Sequence, residues 1–129
     1  MMTDLISNAL SKILTYDKGN KKECEIQYVS NMLLKVLEIL QDNKYLGGFE
    51  TVQTSKGRHI VVNLIGYINK CASIRPRVAV GNGDYTAVEK RYLPAHGFGI
   101  IIVSTPQGIM THKEALEKNL GGRLIAYCY

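Results

Sequence analysis

The chain has 129 residues, 46% of them hydrophobic, and no apolar run approaches the roughly 20 residues that a membrane-spanning helix needs. Lys and Arg number 16 against 11 Asp and Glu, and the resulting formal charge of +5 favours polyanionic partners. The N-terminus lacks the basic segment of a signal peptide, and the three cysteines have no C-x-x-C spacing, so we expect a soluble intracellular protein without a disulfide framework or membrane partner.

The first half of the chain predicts an N-terminal lobe with the order α-β-α-β-β. Helical spacing of apolar residues and period-2 alternation distinguish the helices from the strands. Gly47 and Gly48 are expected to end the second helical region. The predicted elements are a helix capped by Thr3 or Asp4, a strand over Glu23–Tyr28, a helix capped by Ser30, and strands over Phe49–Thr54 and His59–Ile65 around a turn at Ser55–Arg58.

The pattern changes between Gly66 and Ser73, which is polar and has no clear period. Pro76 cannot lie inside a central strand ladder, so we place a lobe boundary here, with lobes at 1–66 and 67–129. The second lobe is predicted to be mostly β with short helices. The predicted fold class is therefore α/β, of the α+β type, in two small lobes. Its predicted elements are a strand over Arg77–Val80, a turn over Gly81–Asp84, a helix over Val88–Leu93, a strand over Phe98–Val103, a helix over Thr111–Lys118 and a strand over Arg123–Tyr129.

The most informative stretch runs from Gly99 to Ala115 and reads as a buried strand, a polar loop and a capped helix. The expected loop is Ser104–Gly108, and Thr111 with Glu114 has the spacing of a capping box. Hydroxyls, an amide and free backbone N–H groups would gather at one place, a surface suited to phosphate and ribose oxygens. A well-capped strand-to-helix turn without a ligand fits the same residues equally well. His112 and Lys113, in the first helical turn, are expected to be able to meet phosphates there.

Other chemistry has weaker support in the pattern. Ser104 with His96 or His112 as a base is conceivable as a nucleophile, yet Ser104 does not lie in a G-x-S-x-G elbow. The histidines lack metal-ligand spacing, and the G-x-G pairs do not continue into a nucleotide-binding motif. We therefore assign no catalytic residue, metal ligand or cofactor, and no tyrosine is assigned to RNA from spacing alone.

The same stretch resembles a known signature of small hydroxyl, glycine and apolar residues. It is similar to the C-terminal signature of the small ribosomal subunit protein eight family. Segments in the middle of the chain also resemble the archaeal and eukaryotic branch of that family, including Lys21–Cys24, Ile68–Cys71 and Lys90–Ala95. The signature residues are Gly99, Ile102, Val103, Ser104, Thr105, Gly108, Ile109, Met110 and Ala115.

The resemblance implies a two-lobed fold and a non-catalytic protein of the cytoplasmic small ribosomal subunit. It implies direct binding to the central domain of small-subunit ribosomal RNA, a contribution to its folding and assembly, and neighbouring subunit proteins as further partners. Many relatives have a second Ser where this chain has Pro106, so a contact made by that Ser is lost or replaced here. The implied RNA-binding residues are Ser104, Thr105, Gln107, Gly108, Lys113, Gly121 and Gly122, with Asn8 and Lys12 on the first helix.

Two further readings of the residues stay open. One is a small nucleotide-binding enzyme centred on the same loop. The other is a protein–protein module, for which the aromatic strand Arg123–Tyr129 offers a surface.

Overall fold

The computed structural model describes residues 5–27, 30–55, 57–74, 79–95 and 98–129. Helices combine with antiparallel sheets, which confirms the α+β class. The chain divides into two compact units, residues 1–69 and 70–129. The predictions that concern residues outside the described ranges are those for Thr3, Asp4, Tyr28, Lys56, Pro76, Arg77 and His96.

The first unit has the predicted order α-β-α-β-β. Its strands form an antiparallel sheet of order β1-β3-β2, with α1 in contact with β1 and β3, and α2 in contact with β2. The elements are α1 (Leu5–Lys18), β1 (Glu23–Ile26), α2 (Asn31–Asp42), β2 (Leu46–Thr54) and β3 (Gly57–Leu64).

The helical periodicity read from the sequence marks the buried faces of both helices. Ser30 is the N-cap of α2, since its side chain accepts a hydrogen bond from the backbone N–H of Leu33 at 3.1 Å, and that prediction is confirmed. Burial of these faces against the sheet removes apolar surface from water and so stabilises the unit. The buried helical residues include Ile6, Ala9, Leu10 and Ile13 of α1 and Leu33, Val36, Leu37 and Leu40 of α2.

The prediction that Gly47 and Gly48 end the second helical region is wrong, because α2 already ends at Asp42. Both glycines lie inside β2, where the register shifts between the Leu46–Leu64 pair and the Gly48–Asn63 pair. Gly47 is the extra residue of a β-bulge, and Gly48 has a φ of +151°. A strand can contain this glycine pair because the bulge needs backbone conformations that other residues adopt with strain.

The described part of the second unit consists of one antiparallel sheet with two short helices, and β8 lies near the middle of the sheet. The sheet order is β4-β8-β6-β7, and β5 also pairs with β8. A 3-10 turn over Asn82–Asp84 precedes α3. The elements are β4 (Cys71–Ser73), β5 (Ala79–Val80), α3 (Tyr85–Tyr92), β6 (Ile100–Thr105), β7 (Gly108–Thr111), α4 (His112–Glu117) and β8 (Gly122–Cys128).

Four elements of this unit differ from the sequence prediction, and one of them is β6, which covers Ile100–Thr105 rather than Phe98–Val103. β4 lies in the segment without a clear period, because it is only three residues long and alternation needs more residues to show. The helix α3 begins at Tyr85 rather than at Val88. β7 begins at Gly108, within the expected loop, and turns that loop into part of a β-hairpin.

The core of the second unit lies between its sheet and its two helices. Alternate residues Ile101 and Val103 of β6 face it, and α3 contributes Tyr85, whose hydroxyl donates to the Leu120 carbonyl at 2.8 Å. In the described ranges, no helix is long and apolar enough to cross a bilayer. The buried cluster comprises Ile74, Tyr85, Val88, Leu93, Ile101, Val103, Met110, Ala115 and Leu124.

Candidate nucleic-acid interface

Ser104–Gly108 is the tip of a β-hairpin. β6 runs through Thr105, Pro106 and Gln107 form the turn, and β7 starts at Gly108. Thr105 pairs with Gly108 and Ser104 with Ile109. The prediction of an open loop leading straight into a helix is therefore wrong, because Gly108, with a φ of +125°, lets the chain reverse within two residues.

Thr105 closes this turn with its own hydroxyl. The side-chain Oγ1 donates to the Gly108 carbonyl at 2.7 Å and accepts from the Gln107 N–H at 3.3 Å. Thr105 is only 8% exposed, whereas Pro106, Gln107 and Gly108 are exposed. Its hydroxyl thus holds the shape of the tip, and Gln107 carries the amide that faces solvent.

Gly122 brings the start of β8 against the hairpin. A Cβ added to Gly122 would lie 2.3 Å from the Ser104 carbonyl oxygen, a separation that no side-chain-bearing residue tolerates. Gly121 precedes it and is half-buried, as is Ser104. The structure therefore joins the predicted residues Ser104, Thr105, Gln107, Gly108, Gly121 and Gly122 into one continuous surface.

Arg123 extends this surface and was not among the predicted site residues. It pairs with Ser104 across β6 and β8 and is exposed. Directly opposed residues of an antiparallel pair project to the same face, so the Arg123 and Ser104 side chains lie on one face of the sheet. Alternation in the last strand suggests that Arg123 faces outward. The pairing of Arg123 with Ser104 depends on the bulge at Ile125, and no pattern in the sequence predicts that bulge.

The helix that follows lies apart from the turn. Thr111 is the N-cap of α4 and accepts from the Glu114 N–H at 3.3 Å, which confirms the predicted cap. β7 spans Gly108–Thr111, so at about 3.4 Å per residue the helix begins about 10 Å from the tip. The expectation that hydroxyls and helix N–H groups gather at one point is therefore wrong, although Lys113 is exposed on this helix.

His112 lies in the protein interior. The prediction that it meets phosphates is wrong, since its exposed fraction is 0%. Its Nδ1 accepts a hydrogen bond from the Ile101 N–H at 3.1 Å, and its Nε2 lies 2.7 Å from Oε1 of Glu89 on α3. Burial lowers the pKa of His112 below its usual value, although the hydrogen bond to Glu89 opposes this shift.

Asn8 and Lys12 lie on α1 in the other unit. Asn8 is exposed and Lys12 is half-buried. The Lys12 ammonium donates to the Glu25 carbonyl at 2.5 Å and lies 5.6 Å from the centre of the Tyr16 ring. These contacts engage the Lys12 charge within the first unit.

The histidine–glutamate pair and Arg123 are the features that sequence reasoning missed. His112 and Glu89 are 23 residues apart, and only the packing of α3 against α4 and β6 joins them. In the described part of the chain, no group of three or more His, Cys, Asp or Glu side chains is arranged to hold a metal ion.

Comparison with models of protein families supports the resemblance seen in the residues. The model of the family described as "Ribosomal protein S8" matches residues 4–129. The match runs through both units and includes each candidate residue of the hairpin surface and of α1.

Proposed function

Because the chain belongs to the ribosomal protein S8 family, we propose that it binds the central domain of small-subunit ribosomal RNA directly and assists its folding during assembly. The family consists of structural proteins of the small ribosomal subunit that bind ribosomal RNA and act in translation; it is not an enzyme family. We further propose that the protein acts in the cytoplasm.

The observation that carries the proposal is the hairpin surface with Ser104 at its centre. Ser104 offers a hydroxyl and Gln107 an exposed amide, and Gly108, where a Cβ would meet nothing within 4 Å, leaves room for a close backbone approach. A-form RNA presents its 2′-hydroxyls in a wide, shallow minor groove, which short polar side chains on a rigid support fit well. Arg123 and Lys113, both exposed, supply charges for neighbouring phosphates.

The proposal assigns RNA binding to the C-terminal lobe, with Asn8 and Lys12 as auxiliary contacts from α1. The Glu25 carbonyl and the Tyr16 ring already contact the Lys12 ammonium, so we expect Lys12 to contribute less to RNA binding than the hairpin residues do. We also infer the archaeal/eukaryotic branch of the family, supported by the segments Lys21–Cys24 and Lys90–Ala95. Contacts with neighbouring subunit proteins belong to the same proposal.

A filter-binding assay with transcripts of the separate small-subunit RNA domains tests the assignment. The protein should bind the central-domain transcript at least tenfold more tightly than the others, and equal affinities would contradict the proposal. Ser104→Ala should weaken binding to the central domain by about 1–3 kcal/mol, since it removes one partner of a desolvated hydrogen bond.

Ser55→Ala is the matched control for Ser104→Ala, because Ser55 is an exposed serine at another hairpin tip. It should leave the affinity unchanged. Thr105→Val should weaken binding by loosening the turn, and Thr105→Ser, which keeps the hydroxyl, should restore most of it. If Ser104→Ala and Thr105→Val both bind as the unmodified protein does while remaining folded, the hairpin is not the site.

A further inference from the structure

A row of aromatic rings runs along one face of the second unit. Tyr92, at the end of α3, lies 5.4 Å from Tyr127 between ring centroids. Tyr127 and Tyr129 of the last strand segment are 6.2 Å apart and nearly parallel, and Phe98 lies 6.5 Å from Tyr129. We call these four residues the aromatic row.

Phe98, the most exposed member of the aromatic row, is held in place, whereas Tyr92, Tyr127 and Tyr129 are half-buried and pack against the core cluster of the second unit. Phe98 is 50% exposed, yet its N–H donates to the Ala95 carbonyl at 3.1 Å in an isolated β-bridge. Gly99 has a φ of +96°, and a Cβ there would lie 2.7 Å from both the Cys128 carbonyl oxygen and the Tyr129 Cβ. Gly99 therefore permits the close approach that sets the Phe98 ring beside Tyr129.

Cations lie beside two members of the row, Tyr129 and Tyr92. The N–H of Lys70 donates to the Tyr129 carbonyl and the N–H of Tyr129 to the Lys70 carbonyl, both at 2.9 Å. This pairing puts the two side chains on the same face of the sheet, and Lys70 is exposed. The Arg91 guanidinium lies 5.7 Å from the centre of the Tyr92 ring. Glu89, on the same helix, is 7% exposed and directs its carboxylate to His112.

We propose that the aromatic row binds unpaired nucleotides of RNA, with bases stacked on Phe98 and Tyr129 and phosphates contacted by Lys70 and Arg91. Aromatic side chains beside cations are how proteins hold single-stranded RNA, since every base has a face to stack. The cations beside Tyr129 and Tyr92 favour a polyanion over an apolar protein surface. The inference rests on the proposed function, and it adds a second surface that takes unpaired rather than helical RNA.

Binding of an unstructured octauridylate to the full chain tests this surface apart from the hairpin. We expect Phe98→Ala and Tyr129→Ala each to weaken its affinity by at least about fivefold, as loss of one base stack does. The octamer carrying 5-iodouridine should, on irradiation, crosslink to Phe98, Tyr127 or Tyr129 in the unmodified protein, as mapped by mass spectrometry.

The chain offers matched controls. Tyr67, 68% exposed in the first unit, and Leu116, 47% exposed on α4, are large exposed hydrophobic residues that are not members of the aromatic row. Tyr67→Ala and Leu116→Ala should leave octauridylate binding within about twofold of the unmodified protein. Phe98→Leu keeps the apolar bulk without the ring, so it gives the same readout if Phe98→Ala fails to fold.

The two proposals fail in distinguishable ways. Ser104→Ala should weaken binding to the folded central-domain transcript and leave octauridylate binding unchanged. If the transcript binds and depends on Ser104 while the octamer shows no crosslink to the aromatic row, the inference is overturned and the proposed function stands. It is equally overturned if Phe98→Ala binds octauridylate normally but loses a crosslink to a neighbouring protein in purified subunits. If no domain transcript binds the unmodified protein, the proposed function itself fails.

Discussion

At the scale of single residues, the imidazole of His112 takes the place of a backbone hydrogen-bond acceptor at the end of the β6–β7 pairing. β6 and β7 pair in register from Thr105 to Ile102, and the next partner in β7 would be residue 112. The chain turns into α4 there, and the imidazole Nδ1 accepts the Ile101 N–H in place of a backbone carbonyl. The ring proton is then on Nε2, where it is donated to Glu89, and a second proton on Nδ1 would face another donor.

This geometry predicts a loss of stability on mild acidification. Because burial lowers the pKa of folded His112, the unfolded chain, with a His pKa of about 6.5, binds a proton first as the pH falls. The free energy of unfolding should therefore fall as the pH drops below about 6.5, by at most about 1.4 kcal/mol per pH unit from this one group.

Urea unfolding between pH 7 and pH 5.5 measures this effect. His112→Gln, which does not titrate, should show a shallower dependence on pH than the unmodified protein. The absolute stability of the variant does not enter the comparison, because only the slopes are compared. Parallel curves for the two proteins would rule out the proposed role of His112 in the pH dependence.

Gly122 is the residue at which packing around the hairpin is tightest. Gly122→Ala should destabilise the protein by about 1–3 kcal/mol, because the new methyl group would overlap the Ser104 carbonyl and force backbone to shift. Gly83→Ala is the matched control, since a Cβ at Gly83 meets nothing within 4 Å. Chemical denaturation of both variants checks this, and equal midpoints would show that β8 can move away from Ser104 without cost.

At the scale of elements, the helix caps show how local chemistry decides where a helix begins. Ser30→Ala should lower the free energy of unfolding by about 1 kcal/mol, because the Leu33 N–H loses its acceptor. Ser30→Asp, which retains a capping oxygen, should behave like the unmodified protein. Thermal unfolding followed by circular dichroism measures both, and a stable Ser30→Ala variant would mean that the cap contributes nothing to α2.

Elements defined by local pattern are predictable from this sequence, and those defined by pairing are not. The buried face of α1, the Ser30 cap and the Thr111 cap depend on residues three or four apart, and all are visible in the sequence. The hairpin at Thr105–Gly108 appears only when β7 pairs with β6, and an isolated Gly-Ile-Met-Thr shows neither period. In the candidate site, the polar residues were predictable, whereas Arg123 and the burial of His112 depend on register.

At the scale of the whole molecule, the positive charge should make RNA binding depend on salt. The logarithm of the association constant should fall linearly with the logarithm of salt concentration, because bound phosphates release counterions. Lys113→Ala should reduce the slope by about 0.7–0.9, the release expected for one phosphate contact. Ser104→Ala should lower the affinity without changing the slope, since its hydroxyl carries no charge.

Titrations of the central-domain transcript between 50 mM and 300 mM potassium chloride separate the two kinds of contact. Glu117→Gln on the same helix controls for general changes in surface charge, and its slope should not fall. A slope unaltered by Lys113→Ala would exclude that ammonium from the phosphate contacts.

The place of β8 in its sheet has a consequence for biosynthesis. β4, β5 and β6 all pair with β8, yet β8 is translated after each of them. A nascent chain that has not reached Gly122 therefore has β4, β5 and β6 without the strand that pairs with all three, and Ser104 lacks the neighbour that packs against its carbonyl. We therefore expect the RNA binding proposed for the tip of the hairpin to require synthesis past this strand, so that an unfinished polypeptide should not compete with the finished protein for RNA.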